Sequence, residues 1–365
     1  MRALFSPAVA LMNKLRYTSK FSLLGFAMAT VMLVLLFTVY TNLNRDIETA
    51  RQEIAGLQIL KPMNRMTQFM QQHRGLSSGV LNGNEAMKDK RAAKEKDVAE
   101  ALAATDAVLS PRLRDTAAWK AIRQEWGQIA AQGMSWTPPE NIKRHSMMID
   151  KVLVFMVDVA DESQLTLDPV MDTYYFMDTV VTKMPAMLEP MGITRARGTG
   201  ILTKKEVTPQ QAIDVSSLIA QMAGTLRAQN MNLEKVNRYA PELQAVLSGP
   251  AKEFSAGAEK IFALVREDIL GEKFTTAPQD YFTLTTQVID IGYKMMFETL
   301  IPQFEKQLQG RMAMAERMLV LNIGLALAVM LLVAYLAVGT YYSVIDSVEV
   351  FSKGARQLAN GDLTA

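Results

Sequence analysis

The chain of 365 residues carries 39 basic and 37 acidic side chains, so its net charge of +2 gives no general attraction to nucleic acid. Cysteine is absent, which excludes disulfide bonds, thiol catalysis and cysteine metal sites. Hydrophobic residues make up 49% of the chain, enough for a large core. Strong helix formers dominate, and no alternating strand pattern with hairpin turns is present, so we expect an all-α protein.

The first predicted element is an apolar helix that follows a basic N-terminus. Residues 1–20 contain no acidic residue and four basic ones, namely Arg2, Lys14, Arg16 and Lys20. Residues 21–41 are uncharged, and about 20 apolar residues suffice to cross a bilayer as a helix. The positive-inside bias predicts that residues 1–20 are cytoplasmic. A cleaved signal peptide is the alternative, but the apolar run is longer than the usual ~7–15 residues and no small-x-small cleavage site follows it.

A second uncharged segment, residues 318–342, lies near the C-terminus. Two membrane spans place both termini in the cytoplasm and residues 42–317 outside, which in a Gram-negative cell is the periplasm. We therefore expect a multi-pass protein of the bacterial inner membrane with an external helical domain.

The C-terminal segment, residues 343–365, has the spacing of a coiled coil. Its apolar residues recur at intervals of four and three, at Val344, Val348, Phe351, Ala355 and Leu358. A membrane helix that continues into a coiled coil can carry a small displacement across the bilayer, which suggests a signalling protein.

Turn and cap residues divide the external domain into eight predicted helices. These are residues 42–81, 84–109, 111–132, 140–165, 169–203, 209–236, 241–269 and 278 onward into the second apolar segment. Ser110 caps a helix whose first turn contains Pro111, and Asp168 with Pro169 is interpreted in the same way.

An internal repeat appears when Arg74 is aligned with Arg195 without gaps. Met63, Met66, Met70, Arg74, Gly79 and Glu85 then coincide with Met184, Met187, Met191, Arg195, Gly200 and Glu206. We interpret this as two four-helix repeats, about 47–166 and 168–317, stacked or side by side. Helix lengths at ~1.5 Å per residue place the two arginines at similar heights, where the repeats could bring them together.

Three arginines beside small residues are candidates for an anion site: Arg74, Arg195 and Arg197. A guanidinium suits bidentate recognition of a carboxylate or similar planar anion, although structural salt bridges are the alternative. The adjacent His73 belongs to the same candidate set. Together with His145 it is too isolated to predict a metal site, and we expect no metal or other cofactor.

A second polar cluster, Tyr174, Tyr175 and Asp178, could bind an amino group, or the tyrosines could simply pack with bonded hydroxyls. Asp178 and Arg195 are about 25 Å apart along one helix, so the two clusters cannot line one small pocket in a protomer.

Two further motifs are interpreted structurally. Residues 75–79 match G-x-S-x-G, but a nucleophile elbow follows a strand, and here the pattern is helical, so we expect no catalytic residue and no enzyme. Gly75 and Gly79, like Ala196 and Gly200, instead suit close helix packing. The 25 methionines could suggest copper or oxidant sensing, but their helical spacing favours a core.

The C-terminal sequence SVIDSVEVFSKGARQLANGDLTA resembles the first helix of a HAMP domain with its Gly361-Asp362-Leu363 turn. The segments LFSPAVALMNKLRYTSKFSLLG, QQHRGLSSGVLNG, LDPVMDTYYFMD and RARGTGIL resemble the transmembrane and periplasmic part of methyl-accepting chemotaxis proteins. The resemblance implies a homodimeric chemoreceptor for a small periplasmic ligand, an anion or amino acid. A chemotaxis kinase and adaptor would bind a region beyond Ala365. Histidine kinases and diguanylate cyclases carry similar inputs and remain the alternative.

Overall fold

The computed structural model describes residues 5–359, except for the side chain of Leu358, and every regular element in that range is helical. The first α-helices are α1 (Ser6–Asn13), α2 (Tyr17–Leu81), α3 (Lys88–Val108), α4 (Pro111–Arg114), α5 (Ala117–Gln132) and α6 (Pro138–Glu162). The others are α7 (Met171–Met177), α8 (Met184–Lys204), α9 (Pro209–Tyr239), α10 (Gln244–Leu264), α11 (Pro278–Lys294) and α12 (Ile301–Ala359). The all-α prediction is confirmed.

Three π-helical segments join or extend these helices: Asp178–Lys183, Val265–Ile269 and Met295–Leu300. The first makes α7 and α8 continuous, and the third makes α11 and α12 continuous. Seven of the eight predicted helices are thus present, with ends that differ by a few residues. The helix predicted over 111–132 is instead two helices, α4 and α5, because the chain leaves the helix at residues 115–116 and Thr116 caps the second one.

Local capping chemistry explains where helices begin. The Ser110 hydroxyl accepts the N–H of Leu113 at 3.2 Å, as predicted, and Thr116 starts α5 by accepting the N–H of Trp119. The prediction for Asp168 is wrong: its carboxylate accepts the N–H of Val170, and the helix begins later, at Met171. Asp168 therefore closes a turn before the helix instead of capping it.

The chain forms two compact units. One, Thr49–Gly310, holds the main core, in which α8 packs against α9 and α11. The six methionines of the repeat are buried there, as their spacing predicts: Met63, Met66, Met70, Met184, Met187 and Met191. Flexible thioether side chains fill irregular core space.

The other unit combines the described residues up to Glu48 with those from Arg311 onward. It contains the apolar parts of α2 and α12, whose side chains are exposed and whose length and composition suffice to cross a membrane. Helix α12 continues through Val344, Val348 and Phe351 to Ala359. The Gly361-Asp362-Leu363 turn lies outside the described residues.

Candidate functional site

Arg74, on α2, lies in the core of the larger unit and is only 5% exposed. Its Nη1 and Nη2 atoms donate to the two carboxylate oxygens of Glu189 on α8, at 2.5 and 3.1 Å. Nη1 also donates to the hydroxyl of Ser146 at 2.7 Å. A guanidinium that faces a carboxylate with two nitrogens forms the strongest kind of protein ion pair.

Glu189 is held by a second polar chain. Its Oε2 accepts the amide N–H of Gln71 at 2.8 Å, and Oε1 of Gln71 accepts the hydroxyl of Tyr293 at 2.8 Å. All three residues are buried. Helices α2, α8 and α11 are therefore connected by hydrogen bonds that start at Arg74.

Arg195, the repeat equivalent of Arg74, lies beside it and is half-buried. Its Nη1 donates to the Thr286 hydroxyl at 2.8 Å, and its guanidinium carbon lies 4.9 Å from the Phe282 ring centroid. Within residues 5–359 no carboxylate lies within ion-pair distance of Arg195. Burial, and then the charge of Arg74, lowers the pKa of Arg195 to about 10.

Two glycines let these arginines lie against the opposite helix. A Cβ at Gly192, on α8, would lie 3.2 Å from Nη2 of Arg74, and a Cβ at Gly75, on α2, would lie 3.5 Å from Nη2 of Arg195. Each guanidinium therefore lies over the backbone of the other helix. The structure thus places the half-buried guanidinium of Arg195 close to the buried guanidinium of Arg74. Among the described residues, Glu189 is the one carboxylate in ion-pair contact with either arginine, which is an arrangement that can bind an anion.

His73 pairs with another histidine and not with either arginine. Its Nδ1 lies 2.9 Å from Nε2 of His145, and Nδ1 of His145 lies 2.8 Å from the carbonyl oxygen of Asn141. A carbonyl only accepts, so Nδ1 of His145 donates to it and Nε2 of His145 accepts from His73. Burial, reinforced by neighbouring positive charge, lowers the pKa of His73 to about 3 and of His145 to about 4, so both are neutral at pH 7.

Arg197 does not join the candidate site. It is exposed and pairs with Asp214 on α9 at 2.8 Å. Ser77 of the G-x-S-x-G motif lies within α2, is fully buried and accepts the Nε–H of Arg91 at 3.0 Å. In the second repeat, Gly200 has no atom within 4 Å of its Cβ position, so the close packing expected there is not formed.

Tyr174, Tyr175 and Asp178 form a separate cluster. The Tyr175 hydroxyl accepts from Nζ of Lys235 at 2.8 Å, and the two tyrosine rings meet edge to face. Asp178 accepts from Thr182, from Lys183 at 3.0 Å and from Asn232 at 2.7 Å. Tyr175 and Asp178 thus have hydrogen-bond partners within the protein, which favours the packing alternative for these two residues.

Sequence reasoning missed Glu189, Gln71 and Tyr293. One signal was available for Glu189: it is an acidic residue between the buried positions Met187 and Met191 on an otherwise apolar helix face. A charged side chain in such a position is almost always paired.

Comparison with known proteins identifies the family of this chain. Residues 65–296 match the NIT family, described as nitrate and nitrite sensing. The chain belongs to the NIT family. The matched region contains Arg74, Glu189, Arg195 and Tyr293, and family membership indicates the sensor domain of a signalling protein.

A search of solved structures shows the same fold elsewhere. This NIT chain is similar to the structure of the NasR transcription antiterminator, with a TM-score of 0.58 and 16% sequence identity over 87% of this chain and 85% of that one. No match was found among curated proteins. At this identity the likeness concerns the fold alone.

Proposed function

We propose that this NIT chain is the sensing part of a membrane receptor whose ligand is nitrate or nitrite, bound between α2 and α8 by Arg74 and Arg195. The observation that carries the proposal is the half-buried guanidinium of Arg195, which lies near Arg74 and has no carboxylate within ion-pair distance among the described residues. Both ligands are small planar oxyanions, and a guanidinium donates two parallel N–H groups to such a group. Among the anions and amino acids expected from the sequence, the family description supports these two anions.

We further propose that the apolar parts of α2 and α12 span the inner membrane and that residues 42–317 form a periplasmic sensor. Basic residues 1–20 support a cytoplasmic N-terminus. The continuity of α11, the π-helix Met295–Leu300 and α12 supports a role of this helix in carrying the signal. The protein would act as a homodimer and would bind its ligand without catalysing a reaction.

The resemblance to methyl-accepting chemotaxis proteins supports a chemoreceptor, coupled to a chemotaxis kinase and adaptor. A histidine kinase or a diguanylate cyclase is the alternative output. A heptad-rich helical hairpin following residue 365 would favour the chemoreceptor, whereas a nucleotide-binding region there would favour an enzyme.

The ligand proposal is tested by calorimetry on the full chain in lipid nanodiscs, titrated with nitrate, nitrite, chloride, acetate and amino acids. Arg74→Ala and Arg195→Ala should each weaken nitrate binding about 10- to 100-fold, since a charge-assisted hydrogen bond contributes about 1.5–3 kcal/mol. Arg197→Ala is the matched control, because that exposed arginine is two residues from Arg195. Equal losses in all three variants, or none in the first two, would reject the site.

A further inference from the structure

Glu189 presents to Arg74 the same chemical group that a nitrate ion would present. Its planar carboxylate accepts from both terminal nitrogens of the guanidinium. Nitrate is also planar, with pairs of oxygens that match the same two N–H groups. An oxyanion that binds Arg74 in this way must therefore compete with Glu189.

Burial makes this competition strong. Arg74 and Glu189 are 5% and 4% exposed, and a buried charge that loses its partner is strongly destabilised. An incoming anion can replace Glu189 as the partner of Arg74 only if it brings a negative charge to take the place of the Glu189 carboxylate. Arg195 provides a second cation beside Arg74. Because Glu189 does not lie within ion-pair distance of Arg195, this arginine can pair with the incoming anion.

A displaced Glu189 would also pull on Gln71. The Gln71 amide bonds Glu189 through its nitrogen and Tyr293 through its oxygen, and all these atoms are buried. An amide held at both ends cannot turn without losing one bond or moving its second partner. The position of the Tyr293 hydroxyl is therefore tied to the position of the Glu189 carboxylate.

Tyr293 lies at the most irregular part of the long C-terminal helix. The π-helix Met295–Leu300 begins two residues later, and the Tyr293 ring stacks on Phe297 with centroids 5.9 Å apart. Arg65 of α2 lies on Phe297, with its guanidinium carbon 3.6 Å from the ring centroid. π-Helices occur mostly as single-turn bulges inside α-helices and are found frequently at functional sites.

We propose that Glu189 is an internal counter-ion of Arg74 that the bound oxyanion displaces, and that Gln71 passes this displacement to Tyr293 and the π-helix Met295–Leu300. The proposal rests on the proposed function, since it concerns the same arginines. Glu189, Gln71 and Tyr293 thereby have a regulatory role, and the π-helix Met295–Leu300 is the segment before α12 that responds to the bound anion. Glu189 is then a positioning residue whose charge sets the affinity for the ligand.

The first test replaces the charge and keeps the shape. Glu189→Gln in the full chain in nanodiscs should bind nitrate at least about fivefold more tightly, since a neutral amide holds a guanidinium less strongly than a carboxylate does. Asp214→Asn is the matched control, because it makes the same change at the exposed Arg197 pair and should leave the nitrate Kd within about twofold. Equal or weaker binding by Glu189→Gln would overturn the proposal, since Glu189 would then merely orient Arg74.

A second variant covers the case in which Glu189→Gln does not fold, as judged by its melting curve. Gln71→Leu removes the amide that holds Glu189 and keeps a similar volume. It should also bind nitrate more tightly, by about two- to fivefold, because the counter-ion loses one of its hydrogen bonds. Unchanged or weaker binding by a folded Gln71→Leu protein would contradict the counter-ion role.

The third test concerns transmission. In the unmodified protein, saturating nitrate should change amide hydrogen exchange in residues 295–300. Tyr293→Phe should bind nitrate with a Kd within about threefold and lose that change, because its hydroxyl bond to Gln71 is gone. Tyr239→Phe, on an exposed tyrosine of α9, should keep it.

The outcomes separate the two proposals. If the unmodified chain binds neither nitrate nor nitrite, the proposed function fails. If it binds nitrate but the Glu189 and Gln71 variants do not bind more tightly, only the counter-ion role fails. A nitrate-dependent exchange change that survives Tyr293→Phe would overturn the path to the π-helix.

Discussion

Gly192 on α8 lies directly against Arg74 on α2: a Cβ at residue 192 would be 3.2 Å from Nη2 of the arginine. Gly192 is also three residues before Arg195 and three after Glu189, so it lies one helical turn from both charged residues of the site. The absence of a side chain there lets the Arg74 guanidinium reach α8 and meet Glu189 with both terminal nitrogens. The packing of α2 against α8 and the ion pair between Arg74 and Glu189 thus both depend on one small residue.

Gly192→Ala should lower the free energy of unfolding by about 1–3 kcal/mol relative to Gly200→Ala on the same helix. The added methyl group is closer to Nη2 than most Cβ contacts in proteins, so the guanidinium must move by a few tenths of an ångström, and its paired hydrogen bonds to Glu189 lose strength on such a shift. Gly200→Ala is the matched control because it gains the same helix propensity and no atom lies within 4 Å of its Cβ position. The measurement is urea denaturation of both variants. If the two are equally stable, the close approach of Gly192 is irrelevant to the ion pair.

The buried histidine pair should make the fold sensitive to mild acid. The folded pKa values, about 3 for His73 and about 4 for His145, lie below the ordinary value of 6.5. Between these values the unfolded chain binds more protons than the folded chain does. The contribution of the two histidines to the free energy of unfolding is therefore full above pH 6.5 and decreases as the pH falls. The slope approaches about 1.4 kcal/mol per pH unit for each histidine.

The check is urea denaturation at pH 7.0 and 5.0, followed by circular dichroism. The double variant His73→Gln/His145→Gln is the comparison, because other groups contribute equally to both proteins. The unmodified protein should lose more stability on acidification than the double variant does. A pH effect of the same size in both would mean that the histidines titrate normally in the folded state.

Much of the helical architecture can be predicted from the sequence, because the residues that begin and end a helix act locally. Prolines, caps and turn residues placed seven of the eight helices, and the repeat aligned Arg74 with Arg195, which the structure brings together. Local geometry could also have excluded Arg197 from the candidate site. Side chains two residues apart on a helix point about 200° apart around its axis, so Arg197 lies on the face opposite Arg195.

Other features depend on tertiary contacts that no local pattern encodes. Glu189 coincides with Gln68 in the repeat alignment, so symmetry gave no indication of an acidic residue beside Arg74. The three π-helices break the helical period only by a single added residue each, and their sequences contain no breaker at that point. Tyr293 reads as an ordinary core aromatic residue until the position of Gln71 is known.

Asp268 should be essential for the loop between α10 and α11. Its carboxylate accepts the backbone N–H groups of Thr275 and Thr276 at 2.8 and 2.9 Å and the Thr275 hydroxyl at 2.7 Å. Burial alone would raise the pKa of Asp268, but these hydrogen bonds outweigh it and hold the pKa below its ordinary value. Stability from this group is therefore present above about pH 4 and is lost at lower pH.

Asp268→Ala should lower the free energy of unfolding by about 2–3 kcal/mol, since three donors lose a charged acceptor. Asp268→Asn should cost less, because an amide oxygen still accepts. Glu259→Ala, at an exposed position on α10, is the control and should change stability by less than about 0.5 kcal/mol. Urea denaturation at pH 7 measures all three, and a loss in Asp268→Ala no greater than in the control would refute the role of the loop bonds.

The packing of α8 against α11 should be most sensitive at Gly198. A Cβ there would lie 2.5 Å from Cε1 and 2.6 Å from Cζ of Tyr281, a fully buried ring whose hydroxyl donates to the carbonyl oxygen of Thr194 at 3.0 Å. The ring cannot retreat without losing that hydrogen bond and disturbing its neighbours, because protein interiors are close-packed. Gly198→Ala should therefore destabilise the fold by about 1–3 kcal/mol in spite of the better helix propensity of alanine.

Gly127→Ala on α5 separates these two effects, since its Cβ position is open and the substitution should stabilise the protein by about 0.5–1 kcal/mol. A double-mutant cycle with Tyr281→Leu identifies the contact itself. The Gly198→Ala substitution should cost less in the Tyr281→Leu background, with a coupling energy above about 0.5 kcal/mol. Additive losses would show that the alanine is destabilising for a reason other than its contact with the tyrosine ring.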